Sequence, residues 1–471
     1  MILYFSGTGN SKYIAEGLSY RLGDVLISIN DKIRNNDNAV RQYGGQLVIV
    51  FPVYVGRIPK LVEQWITGTH LRSQPVYFIG TCSHIAGNIE PYLRALARKK
   101  HLRYMGFLPI FMPQNHICIY PHDKAALERR KLSTADRRTE YAHSVISQQK
   151  HFPKYAPTPY EYVLSGLEYA PFYRFMVGAK KFRVTDKCVG CGLCEMSCLL
   201  NNVKILNRRP CWGNSCTHCM ACIGRCPQKA IEYGSITLKR KKYHCKGFDL
   251  KKFEKGSIIM FDKKILDSIE VLFHSSIRIS GDKVIYIDPF KISGERHDAD
   301  LILLTHDHFD HFSKEDIAKV MNGDTVIAAP ELMADECRQI VGDRFISVLP
   351  DKKYTVCGIE IETVPAYNIV KPFHPKSKKW VGYIMTIGGT RVYVAGDTDM
   401  TDENKCVSCD IALVPIGGTY TMNAKKAAAF TNIIRPHTVI PIHYGSVVGK
   451  PEDAEVFKSA VDKDIEVRVL L

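Results

Sequence analysis

The sequence lacks any hydrophobic run long enough to cross a lipid bilayer. Among its 471 residues, 45% of them hydrophobic, no apolar stretch approaches the roughly 18 residues that a membrane-spanning helix needs. The first residues, Met1-Ile-Leu-Tyr-Phe, lack the basic flank and the cleavage site of a secretory signal peptide and instead predict a strand. We therefore expect a cytoplasmic protein with no membrane partner. About three domains are expected, because the chain is too long for one ordinary core.

Nucleic-acid recognition motifs are also missing, although the formal net charge is +16. Much of the positive charge lies in short runs, such as KRKK at 239–242 and KSKK at 376–379. Such runs indicate a solvated basic surface, and docking of an acidic redox partner or an anionic substrate is the alternative. Nucleic acid is not an expected partner.

Sixteen cysteines in a chain without an export signal favour metal ligation over disulfides. Eight of them fall at regular spacing in two runs, Cys188-x2-Cys191-x2-Cys194-x3-Cys198 and Cys216-x2-Cys219-x2-Cys222-x3-Cys226-Pro227. One cubane must collect three thiolates from a single turn of chain, whereas a zinc site takes its ligands in pairs. The runs therefore favour iron–sulfur clusters over zinc.

This repeated run resembles the bacterial ferredoxins that carry two [4Fe–4S] clusters. The resemblance implies that the fourth cysteine of each run ligates the cluster of the other run. Cluster one would take Cys188, Cys191, Cys194 and Cys226, and cluster two would take Cys198, Cys216, Cys219 and Cys222. Leu199 stands where the first run usually has proline, which leaves every ligand in place. Cys211 is expected to be a spare thiol.

The N-terminal residues alternate between predicted strands and helices. A turn of small and hydroxylated residues, Ser6-Gly-Thr-Gly-Asn-Ser11, joins a strand to a helix, where backbone N–H groups and hydroxyls converge on an anion. Later strands at 46–51 and 75–80 end in loops rich in glycine and aromatics. Ligands bind at these carboxyl ends in open parallel sheets.

Residues 1–155 resemble the flavodoxins, which implies a doubly wound parallel sheet that binds FMN. By this resemblance the phosphate loop would consist of Ser6, Gly7, Thr8, Gly9, Asn10 and Ser11. Tyr54 is the candidate stacking residue, and residues 81–88 would face the flavin ring. A flavodoxin-like fold that has lost its flavin is the alternative. Residues 156–182 predict a helical connector, 183–237 a small α+β ferredoxin domain, and 238–255 a basic linker.

The stretch His306-Asp-His-Phe-Asp-His311 follows a predicted buried strand. Ligands at positions i, i+2, i+4 and i+5 after a strand can surround two metals, and the mixture of imidazole and carboxylate suits zinc or another first-row divalent ion. Asp397 in GDTD and His443 in IPIHYG follow two further predicted strands. A solvated or capping cluster is the alternative.

Together these motifs resemble the metallo-β-lactamase fold, an αββα sandwich, over residues 256–471. The branch that they resemble contains ascorbate-phosphate lactonases and phospholipase-D-type hydrolases. The resemblance implies two divalent metals, expected to be zinc. His306 and His308 would bind the first metal, Asp310, His311 and His443 would bind the second, and Asp397 would bridge them.

The third ligand of the first metal is open. Asn368 stands where many relatives have a histidine, so that Asn368 binds weakly, His374 takes its place, or the metal lacks one ligand. Asp310 and Asp397 are the candidate catalytic residues, Asp310 because it would also orient the nucleophile. His274 is expected to be a core or supporting histidine, with pocket lining as the alternative.

The predicted whole is a multidomain α/β protein in which an iron–sulfur flavoprotein module is fused to a dinuclear metal-dependent hydrolase. Metal-bound hydroxide would attack an ester, lactone or phosphodiester in a small-molecule substrate. A redox protein or a small molecule would donate electrons. A flavodiiron-like oxygen or nitric oxide reductase is one alternative, although those proteins place a carboxylate where His308 stands and reverse the domain order. A pure electron carrier with a non-catalytic metal domain is the other.

Overall fold

Two compact units make up the chain, Met1–Lys252 and Phe253–Leu471. The computed structural model describes residues 1–40, 45–247 and 263–471. The predicted domain boundary at 255/256 and the end of the predicted linker, 248–255, lie outside the described residues. No helix in the described ranges combines the length and the apolar character that crossing a membrane requires.

A five-stranded parallel sheet forms the core of the first unit. Its strands are β1 (Ile2–Tyr4), β2 (Leu26–Ser28), β3 (Leu47–Pro52), β4 (Pro75–Cys82) and β5 (Arg103–Phe111). They lie in the order β2-β1-β3-β4-β5, and every neighbouring pair is parallel. All six residues of β3 are buried, as expected of a central parallel strand that is covered on both faces.

Helices alternate with these strands in sequence, as in a doubly wound α/β sheet. They are α1 (Asn10–Leu22), α2 (Ile29–Arg34), α3 (Lys60–Gly68), α4 (Glu90–Lys99) and α5 (Ala125–Ser147). The predicted connector contains α6 (Pro159–Gly166), α7 (Tyr169–Pro171) and a π-helical turn at Phe172–Met176. The helix α6 begins with a capping box made by Thr158 and Glu161 and has proline in its first turn, a sequence pattern that fixes a helix start.

The cysteine runs lie on short elements of the same unit. These elements are β6 (Phe182–Val184), α8 (Leu193–Met196), β7 (Val203–Leu206), β8 (Arg209–Trp212), α9 (Ala221–Arg225) and β9 (Ile231–Tyr233). Two antiparallel ribbons, β6 with β9 and β7 with β8, hold them together. So small a module has little apolar core of its own, and its cysteines supply part of the buried cluster.

The second unit contains two large sheets. The first has the order β10-β11-β12-β13-β14-β15, with strands Ile269–Phe273, Ser276–Ile279, Ile285–Ile287, Ala299–Leu303, Met321–Pro330 and Phe345–Val348. The second has the order β16-β17-β18-β19-β20-β21-β22, with strands Lys353–Val356, Ile359–Pro365, Val381–Ile387, Thr390–Val394, Ile411–Pro415, Thr438–Ile442 and Glu466–Val467. The helices of this unit span Lys263–Asp267, Lys314–Val320, Ala334–Val341, Ala424–Ile434 and Asp453–Ala460.

Three buried clusters stack these layers. The central cluster joins side chains of both sheets, among them Leu301 from the first and Tyr383 and Leu413 from the second. A second cluster packs Ile317 and Cys337, which lie on helices, against the outer face of the first sheet. A third packs Phe430 and Phe457 against the outer face of the second. The layer order is helix, sheet, sheet, helix, and the predicted αββα sandwich is confirmed for this part of the chain.

Candidate metal centre

Seven of the eight potential ligands lie just beyond the carboxyl ends of strands in the second unit. His274 follows β10, His306 and the turn to His311 follow β13, Asp397 follows β19, and His443 follows β21. Their strands are apolar and buried, so that each chain segment becomes polar only where it leaves the core. Backbone bonds from His311 N (3.0 Å) and Phe312 N (2.9 Å) to the carbonyl of His308 close the turn. The turn thereby directs the side chains of His306, His308, Asp310 and His311 toward the same site.

The first candidate group consists of His306, His308 and His374, whose ligand atoms lie within 4.8 Å of one another. His306 and His374 are buried, and His308 is partly exposed. Trp380 forms a wall against this group, with ring centroids 5.0 Å from His306 and 4.9 Å from His308. Within this group, only the His308 imidazole is partly exposed to solvent.

Of the two alternatives at the third position, His374 lies in the group and Asn368 lies behind it. The Asn368 Nδ2 donates to the Tyr420 carbonyl (2.7 Å) and lies 3.4 Å from His374 Nδ1. The Asn368 backbone N–H donates to the carbonyl of His374 (2.8 Å), which closes the loop between them. Asn368 therefore supports the imidazole and does not replace it.

The remaining ligand atoms form two overlapping groups, which are His274, Asp310 and His443, and His306, His311 and Asp397. Asp397 Oδ2 lies 3.3 Å from His374 Nε2 and 3.1 Å from His443 Nε2, and Asp397 Oδ1 lies 3.4 Å from His311 Nε2. This carboxylate therefore touches both sides of the site, where a bridging ligand would lie.

Asp310 lies on the far side of the site from His308. Its Oδ2 is 3.4 Å from His274 Nε2 and 3.6 Å from the Nε2 atoms of His311 and His443. His274 is fully buried, and its ring faces the carboxylate instead of the core. The sequence pattern favoured a core or supporting role for His274, whereas the structure places it among the candidate ligands.

The chemistry of this donor set fits metal ions. Among the residues that the structure describes, five buried imidazole Nε2 atoms in the site make no hydrogen bond, those of His274, His306, His311, His374 and His443. A buried polar atom without a partner costs free energy, on the order of 1–3 kcal/mol each. Five such atoms directed at two carboxylates are explained if they donate lone pairs to cations. Borderline nitrogen and hard oxygen donors in this ratio suit zinc and other first-row divalent ions.

Burial and charge set the protonation of these groups. Burial lowers the pKa of His306 well below its ordinary value, and the neighbouring His311 lowers it further. Burial opposes charge on His443 as well, but the Asp397 and Asp310 carboxylates outweigh it and raise the pKa of His443 to about 10. For Asp397, His443 and His311 overcome the effect of burial and hold the pKa well below its usual range. The carboxylates are thus ionised, and a metal would displace protons from His443.

Three hydrogen bonds converge on Asp288, which sequence reasoning did not single out. Its carboxylate accepts from the Thr305 backbone N–H (2.7 Å), the Thr305 hydroxyl (2.6 Å) and His311 Nδ1 (2.7 Å). A histidine that gives its Nδ1–H to a carboxylate keeps its Nε2 lone pair free and fixed in direction, as metal-binding histidines require. The only sequence signal was one aspartate at the end of the strand VIYI, before Pro289.

Backbone strain collects at the same site. His274, Asp288, His374 and His443 all have positive φ, between 48° and 58°. Residues with a Cβ adopt this left-handed region at a cost, and such residues persist where the surrounding structure holds them, as it does at ligand sites. The four side chains are therefore aimed by the fold and not by local preference.

In the first unit the cysteines line two separate cavities. Cys188, Cys191, Cys194 and Cys226 line one, and Cys198, Cys216, Cys219 and Cys222 line the other. All eight of these cysteines are free thiols. Backbone N–H groups of Asn202 and Ala230 donate to the Cys198 and Cys226 sulfurs, at 3.1 Å and 3.3 Å. Cys211 lines neither cavity and is exposed.

The predicted FMN loop lies at the carboxyl end of β1, but its polar groups are already bonded within the chain. Thr8 Oγ1 accepts from Asn115 (2.7 Å), and Ser11 Oγ lies 2.7 Å from Thr81 Oγ1. Asn10 donates to the Pro113 carbonyl (2.9 Å) and accepts from the Tyr243 hydroxyl (2.8 Å). Ser6 Oγ accepts from the Gly9 N–H (3.1 Å). Tyr54 is partly buried, and its surroundings include the Cys216 and Cys219 side chains. The Asn10 amide thus has other partners, whereas Ser6 Oγ and Thr8 Oγ1 only accept in these bonds and keep their hydroxyl hydrogens for donation.

Comparison with known proteins places the second unit. Residues 268–443 match the model of the beta-lactamase superfamily domain. A UPF0173 metal-dependent hydrolase of Thermococcus kodakarensis is 32% identical over 214 residues, which cover 43% of this chain and 95% of that protein. Its counterpart in Thermococcus onnurineus is 33% identical over 218 residues, again 43% of this chain and 95% of that protein. Igni18, a metallo hydrolase from Ignicoccus hospitalis, is 25% identical, with a TM-score of 0.37 over 43% of this chain and 93% of that one.

The aligned region contains every candidate ligand from His274 to His443, at the strand ends described above. The relatives extend over little more than the second unit, so that the fusion to the cysteine-rich unit lies outside the similarity. By its C-terminal part, this chain belongs to the UPF0173 family of metal-dependent hydrolases, within the beta-lactamase superfamily.

Proposed function

We propose that the second unit hydrolyses an ester, lactone or phosphodiester at a pair of zinc ions. The observation that carries this proposal is the convergence of five buried imidazoles, whose Nε2 atoms make no hydrogen bond, on the Asp310 and Asp397 carboxylates. His306, His308 and His374 would hold one ion, while His274, Asp310, His311 and His443 would share the other with Asp397. When bound, such ions polarise the scissile carbonyl or phosphoryl group and lower the pKa of water toward about 7.

The chain's own groups have distinct tasks in this proposal. Asp310 and Asp397, both ionised, would supply the negative charge that balances two cations and orient the attacking water. Trp380 would exclude bulk water from the side of His306 and His308. An open cavity of about 590 Å³ borders the loop between Asn368 and His374 and is the proposed substrate entrance. Its lysines are paired with carboxylates, for example Lys376 with Glu403 (2.7 Å). The entrance therefore favours polar substrates without selecting one charge.

The nitrogen-rich first group supports zinc over a redox-active diiron centre. Iron sites that activate oxygen take harder oxygen ligands, and His306, His308 and His374 offer nitrogen only. The branch of ascorbate-phosphate lactonases and phospholipase-D-type hydrolases is the proposed subgroup, on the resemblance of the HxHxDH, GDTD and IPIHYG motifs.

For the first unit we propose two [4Fe–4S] clusters that exchange electrons with an acidic redox protein or a small molecule in the cytoplasm. The support is the sorting of the eight cysteines: each cavity takes three from one run and the fourth from the other. N–H donors to the Cys198 and Cys226 sulfurs are the kind of bond that adjusts cluster potentials. The basic surface of the chain, with a net charge of +16, supports an acidic partner.

Metal analysis of the anaerobically purified full chain tests both parts. The proposal predicts about two zinc ions beside about eight irons and turnover of p-nitrophenyl esters or bis-p-nitrophenyl phosphate. Asp397→Ala should abolish turnover and leave the cluster spectrum unchanged. About ten irons, no zinc and no hydrolysis would instead indicate a diiron centre and contradict the proposal. Asp300→Ala, a carboxylate at the opposite end of β13, is the control that should retain turnover.

A further inference from the structure

Three loops at the carboxyl edge of the five-stranded sheet correspond to the flavin site that the sequence predicts. All three are in contact with other parts of this chain. They are the loop at 6–11 after β1, the loop at 53–57 after β3, and the loop at 83–88 after β4. An FMN would need its phosphate at the first loop and its ring between the other two. The contacts below close the ring place and pack one side of the first loop, while a cavity of about 190 Å³ lined by Ser6, Gly7 and Gly9 remains on its other side.

The loop at 6–11 packs against the backbone of the cysteine-rich module and of residues 243–245. A Cβ built on Gly7 would lie 2.1 Å from the Cys219 carbonyl oxygen, and one on Gly9 would lie 2.7 Å from the Cys245 carbonyl oxygen. The Cys245 N–H donates to the Thr8 carbonyl at 2.8 Å. Real Cβ atoms do not approach backbone so closely, so glycine at position 7 is explained by this contact, and glycine at position 9 by the contact together with its positive φ of 98°.

Residues 243–245 are part of the core of the parallel-sheet region. Tyr243 and Cys245 are each 6% exposed and pack with Ile2 and Ile14. The Tyr243 hydroxyl donates to Asn10, the amide of the first helical residue in the loop. Part of the stretch that the sequence predicted to be a linker therefore packs against the loop at 6–11.

The two ring-flanking loops touch each other. A Cβ on Gly87 would lie 2.3 Å from the Cα of Gly56, and one on Gly56 would lie 2.2 Å from the Ser165 hydroxyl oxygen. The backbones of the two loops are thus too close to admit even a Cβ between them. They leave no slot for an aromatic ring, which needs about 3.5 Å on each face.

The helix α6 fixes these loops in place. The buried carboxylate of Glu161 accepts from the backbone N–H groups of Ala86 (3.1 Å) and Gly87 (2.9 Å), and Ser165 Oγ accepts from the N–H of Asn88 (2.7 Å). Glu161 and Ser165 are each 1% exposed. Opening the slot would remove two of the donors to this buried carboxylate, which is costly even though Thr158 and Tyr155 would still donate to it.

We infer that the carboxyl edge of the parallel sheet is the docking surface for the connector and the cysteine-rich module of the same chain, and that this chain binds no FMN there. Its anion-type loop serves as a close-packing surface on which the Cys216–Met220 segment rests. Tyr54, placed by sequence as a flavin-stacking residue, lies in the loop at 53–57, whose Gly56 is in close contact with Gly87 and Ser165.

Flavin binding by the full-length chain tests this inference directly and does not depend on the clusters. The folded protein is incubated with excess FMN and desalted, and released flavin is measured by fluorescence after denaturation. We expect a small fraction of one FMN per chain, equal to that retained by a protein without a flavin site. Stoichiometric FMN would overturn the inference.

A second test uses Gly7→Ala, with Gly166→Ala as the matched control, since a Cβ at Gly166 meets no atom within 4 Å among the described residues. It rests on the two clusters proposed above. Gly7→Ala should displace the Cys219 segment, so that iron falls from about eight to about four per chain and the signal of one cluster is lost from the EPR spectrum. Gly166→Ala should keep both. Unchanged iron and EPR in Gly7→Ala, with a loss of bound FMN, would refute a docking role; if Gly7→Ala does not fold, the flavin measurement decides.

Discussion

Replacing Asp288 by asparagine tests how much a buried carboxylate contributes to metal affinity by holding one imidazole. The carboxylate is 1% exposed and accepts from His311 Nδ1 at 2.7 Å. A hydrogen bond to a charged group is worth about 1.5–3 kcal/mol, and a neutral one about 0.5–1.5 kcal/mol. Asparagine has one oxygen that can still accept from His311 Nδ1, but without the charge, and the Thr305 N–H then loses its acceptor. The expected loss is therefore about 1–1.5 kcal/mol, which is roughly a tenfold weaker metal Kd.

Competition with a chromogenic zinc chelator measures this change, and thermal unfolding of the metal-free protein shows whether the fold has suffered. Loss of a support behind a metal-binding histidine typically costs 10–100-fold in affinity, so the expected value lies at the lower end of that range. Asp300→Asn is the control, because its carboxylate also accepts a backbone N–H, from Val284 at 2.8 Å, but at the other end of β13. Equal zinc affinity in Asp288→Asn and the control would refute the reasoning.

Three further predictions concern separate parts of the chain. His374→Ala should retain about one zinc of two, while Asn368→Ala retains both with an affinity lowered severalfold, as measured by elemental analysis after dialysis. Cys226→Ser should lose one cluster and about four irons, whereas Cys211→Ser should match the wild type in iron and EPR, and equal losses would show that the assignment of thiols is wrong. Burial raises the pKa of Glu403, but bonds from its lysine and tyrosine partners outweigh this and lower it. Because the folded pKa lies below the unfolded value of about 4.3, Glu403→Gln should cost about 1 kcal/mol at pH 7 and nothing once pH falls below the folded pKa. Urea unfolding at several pH values measures the difference, and a constant difference in acid would contradict the linkage.

Much of the metal centre was predictable because its ligands follow strands whose apolar pattern is visible in the sequence. The HxHxDH turn after β13 and the aspartate of GDTD after β19 are local signals, and parallel strands bring such ends to one edge. His274 and Asp288 had no comparable signal, since each is one polar residue at the end of a short strand. Their roles depend on the stacking of two sheets, which pairs residues far apart in the chain.

The α/β alternation of the first unit was equally visible in the sequence. Its strands form the parallel sheet that this alternation predicts. The sequence does not show whether the loop at 6–11 faces an anion or a backbone carbonyl group. Small residues suit either partner, because both must approach the loop backbone closely. The decision rests on Glu161, Ser165 and Tyr243, which lie more than 70 residues from the loops that they contact. Cofactor prediction from a loop motif alone is therefore incomplete wherever the same chain can fill the space.

The spread of the metal ligands along the chain links metal binding to folding of the whole second unit. His274 and His443 are joined by a backbone hydrogen bond of 3.0 Å and contribute to one group, although most of both sheets lies between them in sequence. Closing a loop of that length is entropically expensive and is repaid only when the intervening strands have assembled. A bound ion therefore reports on, and stabilises, the complete sandwich, by about 4 kcal/mol when free metal exceeds its Kd a thousandfold. Depletion of the metal should therefore shorten the time for which the second unit resists proteolysis. This loss should precede any change at a single side chain.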